Sequence, residues 1–243
     1  EMLSRLEASA RTTDEALRSS RAFTSNVAHE LRTPLTSMRT NLDLLNIHAD
    51  MNSHERKKVL DSMVLEHERL LSTLESLRLL ARGDLSEAGI FEEIDFAQLI
   101  GSIISEQQKF DVKSVINLDL PLEPPLLLAW RQGMTLLFRN LIENAQVHSK
   151  VLNQKGTQID INVEVIDMNL KVIIDDNGPG IPEKERIDVV ERFVRGSNAS
   201  APGSGLGLAL VKQQSEIHGG TVELLESPNG GTRVLINLPI VIA

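Results

Sequence analysis

Along the first third of the chain, apolar residues recur at the three-and-four spacing of helices. On a helix advancing about 100° per residue, Val27, Leu31, Leu35, Met38, Leu42 and Leu45 fall on one narrow stripe. Phe23 to Leu45 is therefore predicted to be an amphipathic helix. Pro34 inside it removes a backbone hydrogen bond and predicts a kink just beyond His29. Upstream, Leu3, Leu6, Ala10, Thr13, Leu17, Ser20, Thr24 and Val27 step by alternating threes and fours, a heptad seam that is weak in its middle. Asn46 to Ser53 breaks the pattern, and Asn52 or Ser53 is placed to cap a second helix. Leu60, Met63, Val64, His67, Leu70, Leu71, Leu74, Leu77 and Leu80 then recur at helical spacing to about Arg82-Gly83. Two antiparallel helices cannot bury these stripes alone. Pairing two copies into a four-helix bundle would bury them, with His67 in the apolar register.

Beyond Gly83 the pattern changes. Gly83 to Glu93 is short, acidic and patternless, as a linker would be. Asp95 is placed to cap a helix running to about Gln108, and Val115 to Leu120 alternates like a strand. Pro121, Pro124 and Pro125 mark a turn before the short apolar run Leu126 to Trp130. Gln132 to Val147 reads as a helix, Ile159 to Val165 and Leu170 to Ile174 as a hairpin of strands, and Gly205 to Ile217 as a helix. Two strands, Thr221 to Leu225 and Thr232 to Leu238, close the chain. This mixture predicts an α+β sandwich of one sheet and one helical layer. The expected organisation is a signalling coiled coil over 1–21, a helical hairpin over 22–83, a linker over 84–93 and the sandwich over 94–243.

Composition narrows the classes. There are 243 residues, 41% of them hydrophobic, enough for two modest cores. The formal charge of −9 argues against a nucleic-acid surface, which needs clustered Lys and Arg. With no cysteine, disulfides, thiolate metal sites and a cysteine nucleophile are excluded. No stretch has the length of a transmembrane helix and no signal-peptide pattern is present. A chain that starts at Glu1 is expected to be the cytoplasmic portion of a longer protein, touching a membrane only through a missing N-terminal region.

The candidate chemistry lies in five places. His29 falls opposite the apolar stripe of the first helix, with Thr33 one turn along on the same outer face and Glu30 on the flank. Asn140 and Asn144 share a helix face, and an amide oxygen is a suitable hard ligand for Mg²⁺. Asp176 ends a strand directly before Asn177-Gly178-Pro179-Gly180. A carboxylate there can accept from an exocyclic amine such as adenine's, and the glycines let the backbone approach a ring. Gly203-Ser204-Gly205-Leu206-Gly207 opens a helix and offers backbone N–H groups to phosphate. Neither glycine segment continues as a Walker loop or a dinucleotide fingerprint. Between them lies Glu191-Arg192-Phe193-Val194-Arg195, in a stretch read as a mobile lid anchored by Phe193, with Arg192 and Arg195 in reach of phosphates.

The string His29-Glu30-Leu31-Arg32-Thr33-Pro34-Leu35 resembles the phospho-acceptor box of sensor histidine kinases, and the later motifs are similar, in order, to the N, G1, F and G2 boxes of that family's ATP-binding domain. The resemblance runs from about Ala22 to Pro239. It implies autophosphorylation of His29 using ATP, with Glu30 as base or orienter, then transfer to an aspartate of a response-regulator receiver domain. Thr33 would position water for dephosphorylating that partner, and the molecule would be a homodimer. Asn144 would hold Mg²⁺, Asp176 the adenine amine, and Asn140 would lie near the phosphates. Gly203, Gly205 and Gly207 would shape the lid hinge, and His218-Gly219-Gly220 and Gly230-Gly231-Thr232 would be structural turns. In the family a lysine and then a Tyr or His follow the second asparagine; here Val147 takes the lysine position and His148 the aromatic one. Arg139, Lys150 or a lid arginine would have to replace the missing cation. That departure keeps open a phosphatase-biased or nucleotide-dead dimer acting by partner binding. An ATPase driving a clamp motion is the other alternative, against which the acceptor string argues.

Overall fold

The computed structural model describes residues 2–48, 50–81, 90–110, 114–149, 156–199 and 203–240, with the side chains of 2–20, 22, 69, 81 and 110 outside that description. The chain divides into two compact units, residues 1–78 and 79–243.

The first unit is a helical hairpin. Helix α1 runs unbroken from Met2 to Ile47 with Pro34 inside it, and α2 spans Ser53–Ala81, its last residues going with the second unit. Pro34 therefore does not end the helix, and its ring is buried. The heptad positions upstream of residue 21 lie outside the described side chains. The turn between the helices is closed by backbone bonds from His48 to Leu44 and from Met51 to His48. Asn52 caps α2, its Oδ1 accepting from the N–H groups of His54 and Glu55 at 3.1 and 2.9 Å. In a single chain the apolar stripes are poorly covered. Leu35, Leu42, Leu60, Val64, Leu71 and Leu74 are all at least 44% exposed. His67 is exposed as well, not packed, because the face it shares with Val64 and Leu71 has no cover in one chain.

The second unit has a mixed sheet and a layer of helices. Its elements are β1 (Glu92–Asp95), α3 (Phe96–Phe110), β2 (Val115–Asp119), β3 (Leu126–Ala129), α4 (Arg131–Ser149), β4 (Gln158–Ile166), β5 (Asn169–Asp176), α5 (Gly207–Ile217), β6 (Thr221–Glu226) and β7 (Thr232–Pro239). The main sheet has the order β2-β4-β5-β7-β6. Only β2 and β4 pair in parallel, as a crossover through α4 requires. The other pairs are antiparallel.

One feature departs from the sequence-based expectation. Glu92–Asp95, half of which falls in the acidic stretch read as linker, is a strand paired with Leu126–Ala129 in a separate two-stranded sheet. Ile94 and Leu127 drive this pairing, at 0% and 3% exposed, while the flanking glutamates mask it in the sequence. The rest of that stretch, residues 82–89, lies outside the described residues. Asp95 does cap α3, accepting from the N–H of Gln98 at 3.0 Å.

The core sits between the sheet and α3, α4 and α5. Strand β4 alternates, sending Ile159, Ile161 and Val163 to the helices and Asp160, Asn162 and Glu164 to the other face. From α4, Met134, Leu137, Phe138, Leu141 and Ile142 meet that layer, all 2% exposed or less. Each such side chain contributes roughly 1.5–3 kcal/mol through the apolar area it removes from water. Phe138 also meets Phe96 edge-on at 5.3 Å. Burying this face of α4 leaves Asn140, Asn144 and His148, four residues apart in turn, along its half-buried flank.

Candidate active site

In the first unit, His29 and Thr33 are exposed on α1 and Glu30 is half-buried beside them. The Thr33 hydroxyl donates to the His29 carbonyl at 3.3 Å. Its proton is thus engaged along the helix, and its oxygen remains open as an acceptor.

In the second unit, Asp176 ends β5 and is 8% exposed. Its Oδ1 accepts from the N–H of Gly178 at 2.8 Å and of Thr232 at 3.0 Å. Among the described residues Oδ2 takes no hydrogen bond, so it is left to accept from a ligand. Burial pushes the carboxyl above its ordinary range; the two N–H bonds and nearby His148 act against that push. His148 is half-buried, and burial holds its imidazole below the usual value. Asp176 opposes this and Arg195 adds to it. His148, Asp176 and Arg195 therefore share one electrostatic neighbourhood.

The asparagines meet the start of α5. A Cβ on Gly207 would lie 3.0 Å from Asn140 Oδ1 and 3.2 Å from Asn144 Nδ2, so the helix starts tight against both amides and a side chain there would have to push them aside. Asn140 Nδ2 donates to the Leu136 carbonyl at 2.8 Å, which leaves its oxygen turned to Gly207. Gly205, with φ +67°, accepts from the Phe193 N–H at 2.9 Å, and a side chain there would strike the Phe193 backbone at 2.8 Å. Phe193 itself adopts φ +65° and is half-buried. Leu206 is 1% exposed. Gly203 is exposed with open space around it. Gly180, at φ +69°, faces the carbonyl of Gly231.

The lid stretch is tied down at several points. Glu191 pairs with Lys212 of α5 at 2.7 Å, and Glu185 accepts from the Ser197 backbone and hydroxyl at 2.8 Å each. Arg192 is exposed, and its guanidinium donates to the Leu80 carbonyl at 3.3 Å. Of the substitutes for the missing lysine, Arg139 pairs with Glu106 at 3.5 Å and Lys150 lies outside the described residues. Arg195 shares the electrostatic neighbourhood of His148, and Val147 is 40% exposed.

Two contributions were missed or undervalued in the sequence. Gly230-Gly231-Thr232 is more than a turn. A Cβ on Gly231 would lie 2.1 Å from Asp176 Oδ1, and Thr232 orients that oxygen. Ser149 is fully buried, its hydroxyl next to Gly178 and without a hydrogen-bond partner among the described residues. Its position five residues after Asn144 carries no periodic signal. His218 does behave as a structural residue. Its Nε2 accepts from the Trp130 N–H at 3.0 Å, and its Nδ1 donates to the Gln214 carbonyl at 2.7 Å.

The comparisons with known proteins follow this division. Residues 19–86 match the His Kinase A (phospho-acceptor) domain, and residues 131–242 match the histidine kinase-, DNA gyrase B-, and HSP90-like ATPase family. The chain belongs to the sensor histidine kinase family. The sensor-type histidine kinase PrrB of Mycobacterium tuberculosis (strain H37Rv) is 39% identical over 242 residues, covering 98% of this chain and 52% of PrrB. The chain thus spans about half the length of the curated relatives it matches. The signal transduction histidine-protein kinase/phosphatase MprB of Mycolicibacterium vanbaalenii is 31% identical over 215 residues, covering 86% of this chain and 43% of that one. A solved structure of a mycobacterial MprB aligns with a TM-score of 0.56 at 30% identity, over 63% of this chain and all of the other. The histidine kinase ThkA, solved in complex with the response regulator protein TrrA, shares the fold. Its TM-score is 0.70 at 20% identity, over 95% of this chain and 65% of ThkA. Like other members of the family, this chain joins a helical acceptor hairpin to an ATP-binding fold. No described helix is long and apolar enough to cross a membrane.

Proposed function

We propose that this chain is the kinase core of a two-component sensor, in which ATP bound by the second unit phosphorylates His29. The observation that carries the reading is the co-occurrence of two things. One is an imidazole standing exposed on a helical hairpin. The other is a fold that gathers a buried carboxylate, two amides and a glycine-led helix start into one cradle. Asp176 Oδ2 would accept from the adenine amine. Gly207 and the following N–H groups of α5 would face the phosphates. The cradle fits Mg²⁺ as well as nucleotide, since Asn144 and Asn140 supply neutral amide oxygens of the hard type that magnesium takes alongside phosphate and water. Mg²⁺ would neutralise charge on the transferring phosphoryl group. Neutral His29 offers a ring nitrogen as nucleophile, and Glu30 would accept the proton of the other ring nitrogen and fix the tautomer.

The phosphoryl group would then pass to an aspartate on a receiver domain, as the pairing of ThkA with TrrA suggests. The exposed stripes of α1 and α2 would be covered by a second copy, and a membrane attachment would come from sequence outside this chain. Thr33, with its oxygen open as an acceptor, would orient water when the phosphorylated partner is hydrolysed; MprB's name as a kinase/phosphatase supports that second activity. Val147, with Arg139 engaged elsewhere, favours a phosphatase-biased balance over a purely kinase one. The test is to follow phosphoryl transfer and loss on an added receiver domain. Thr33→Ala should leave transfer intact and slow regulator dephosphorylation about tenfold or more. Loss of transfer instead would reassign Thr33.

A further inference from the structure

The face of the sheet turned away from the helices carries a polar cluster that the mechanism above does not use. Asp160 lies on that face. Its neighbour Ile159 pairs across the strands with Asp176, so Asp176 points to the helix side and Asp160 to the opposite one. Three amides converge on Asp160. Asn117 donates at 2.7 Å, Gln158 at 3.0 Å, and Asn229 of the β6–β7 turn at 2.7 Å. Burial pushes the Asp160 carboxyl up, but these three bonds outweigh it and hold the group below its ordinary range.

Asn229 sits in a tightly wired turn. The Asn229 N–H donates to Ser227 Oγ, Gly230 N–H to the Ser227 carbonyl, and Ser227 N–H to the Gly231 carbonyl, at 3.0–3.1 Å. The far end of the same turn brings Gly231 against Asp176 and donates the Thr232 N–H to Asp176 Oδ1. One short, internally bonded segment is therefore gripped by Asp160 on one face of the sheet and itself grips Asp176 on the other.

We infer that Asp160 and Asn229 are positioning residues for base recognition, holding the β6–β7 turn so that Asp176 presents its oxygen to the adenine amine at a fixed angle. The inference rests on the nucleotide-binding reading above and deepens it, because it names what sets the selectivity of that site for an adenine base. Neither residue touches the nucleotide. Loosening the turn frees Asp176 to rotate, which costs the directional bond to the amine more than the contacts to phosphate.

The test uses the full chain and titration calorimetry with the non-hydrolysable ATP and GTP analogues AMP-PNP and GMP-PNP. Asn229→Ala and Asp160→Ala should each weaken AMP-PNP about fivefold and GMP-PNP less, so the adenine preference falls. The double variant should be no worse than either single one, since both cut the same link. Asn229→Gln, which keeps the donor, should recover part of the preference. Asn229 is exposed, so its variant should unfold within a few degrees of the parent and remain decisive if Asp160→Ala does not fold. Unchanged affinity and preference in Asn229→Ala, or losses that add in the double variant, would overturn the inference. A parent that binds no adenine nucleotide at all would instead remove the nucleotide-binding reading, and this inference with it.

Discussion

Substituting Gly231 by alanine tests the architecture of the adenine subsite most sharply. The added methyl would sit 2.1 Å from Asp176 Oδ1 and 2.5 Å from both the Asp176 carbonyl and the Gly178 nitrogen. Two of the three obstacles are backbone, so the turn has to move as a unit. Overpacking of this kind costs about 1–3 kcal/mol, and for a unit of this size each kcal/mol lowers Tm by about 2–4 °C. The movement also breaks the Thr232 N–H bond to Asp176, a charged hydrogen bond worth about 1.5–3 kcal/mol. Nucleotide affinity should then fall about tenfold or more. Gly230→Ala is the matched control. It has nothing within 4 Å but a φ of +89°, so it should cost stability through backbone strain and leave affinity near the parent's. Thermal unfolding and AMP-PNP titration on the two variants separate the effects. If Gly231→Ala binds like the parent, or if Gly230→Ala loses affinity equally, Asp176 is not oriented by this turn.

Three further outcomes follow from individual residues. Val147→Lys restores a cation at a position 40% exposed, where there is room for it, and should tighten AMP-PNP several-fold at low salt and less at high salt. A salt-independent or absent gain would mean that Arg195 already fills the role. Gly101→Ala, in the interior of α3 with nothing within 4 Å, should stabilise the protein by about 0.5–1 kcal/mol, read as a higher denaturant midpoint with an unchanged slope. His218 is held neutral, its burial lowering its pKa below the unfolded value of about 6.5. Its stabilisation is present above that value and is lost as pH falls from about 6.5 through the lower folded-state value, because the unfolded chain takes the proton first. The stability profile below pH ~6.5 should therefore be flatter in His218→Gln than in the parent, and parallel profiles would contradict the Trp130 N–H to Nε2 assignment.

Much of this molecule is legible in the sequence because its elements are long or strongly periodic. The helices around His29 and Asn140, the hairpin ending at Asp176 and the two closing strands all carry clear spacing. The asparagines and His148 could be placed on one flank of α4 by counting fours. What could not be read depends on partners distant in sequence. Strand β1 is four residues with two glutamates, and only pairing with Leu126–Ala129 makes it a strand. Gly231 reads as turn chemistry; that it touches Asp176, 55 positions earlier, follows from the register of β5 against β7. Nothing local to Arg192 shows the Leu80 carbonyl to which its guanidinium donates. Helix α1 continues through Pro34, since a proline removes one bond from a ladder that neighbouring turns still hold.

The most direct test of the central claim is to incubate the purified chain with Mg²⁺ and γ-labelled ATP and to challenge any label with acid and alkali. Label that is acid-labile, alkali-stable and absent from His29→Gln, with AMP-PNP binding unchanged in that variant, is the predicted result. Label that survives acid, or that persists in His29→Gln, would contradict the assignment of His29 as the phosphorylated residue.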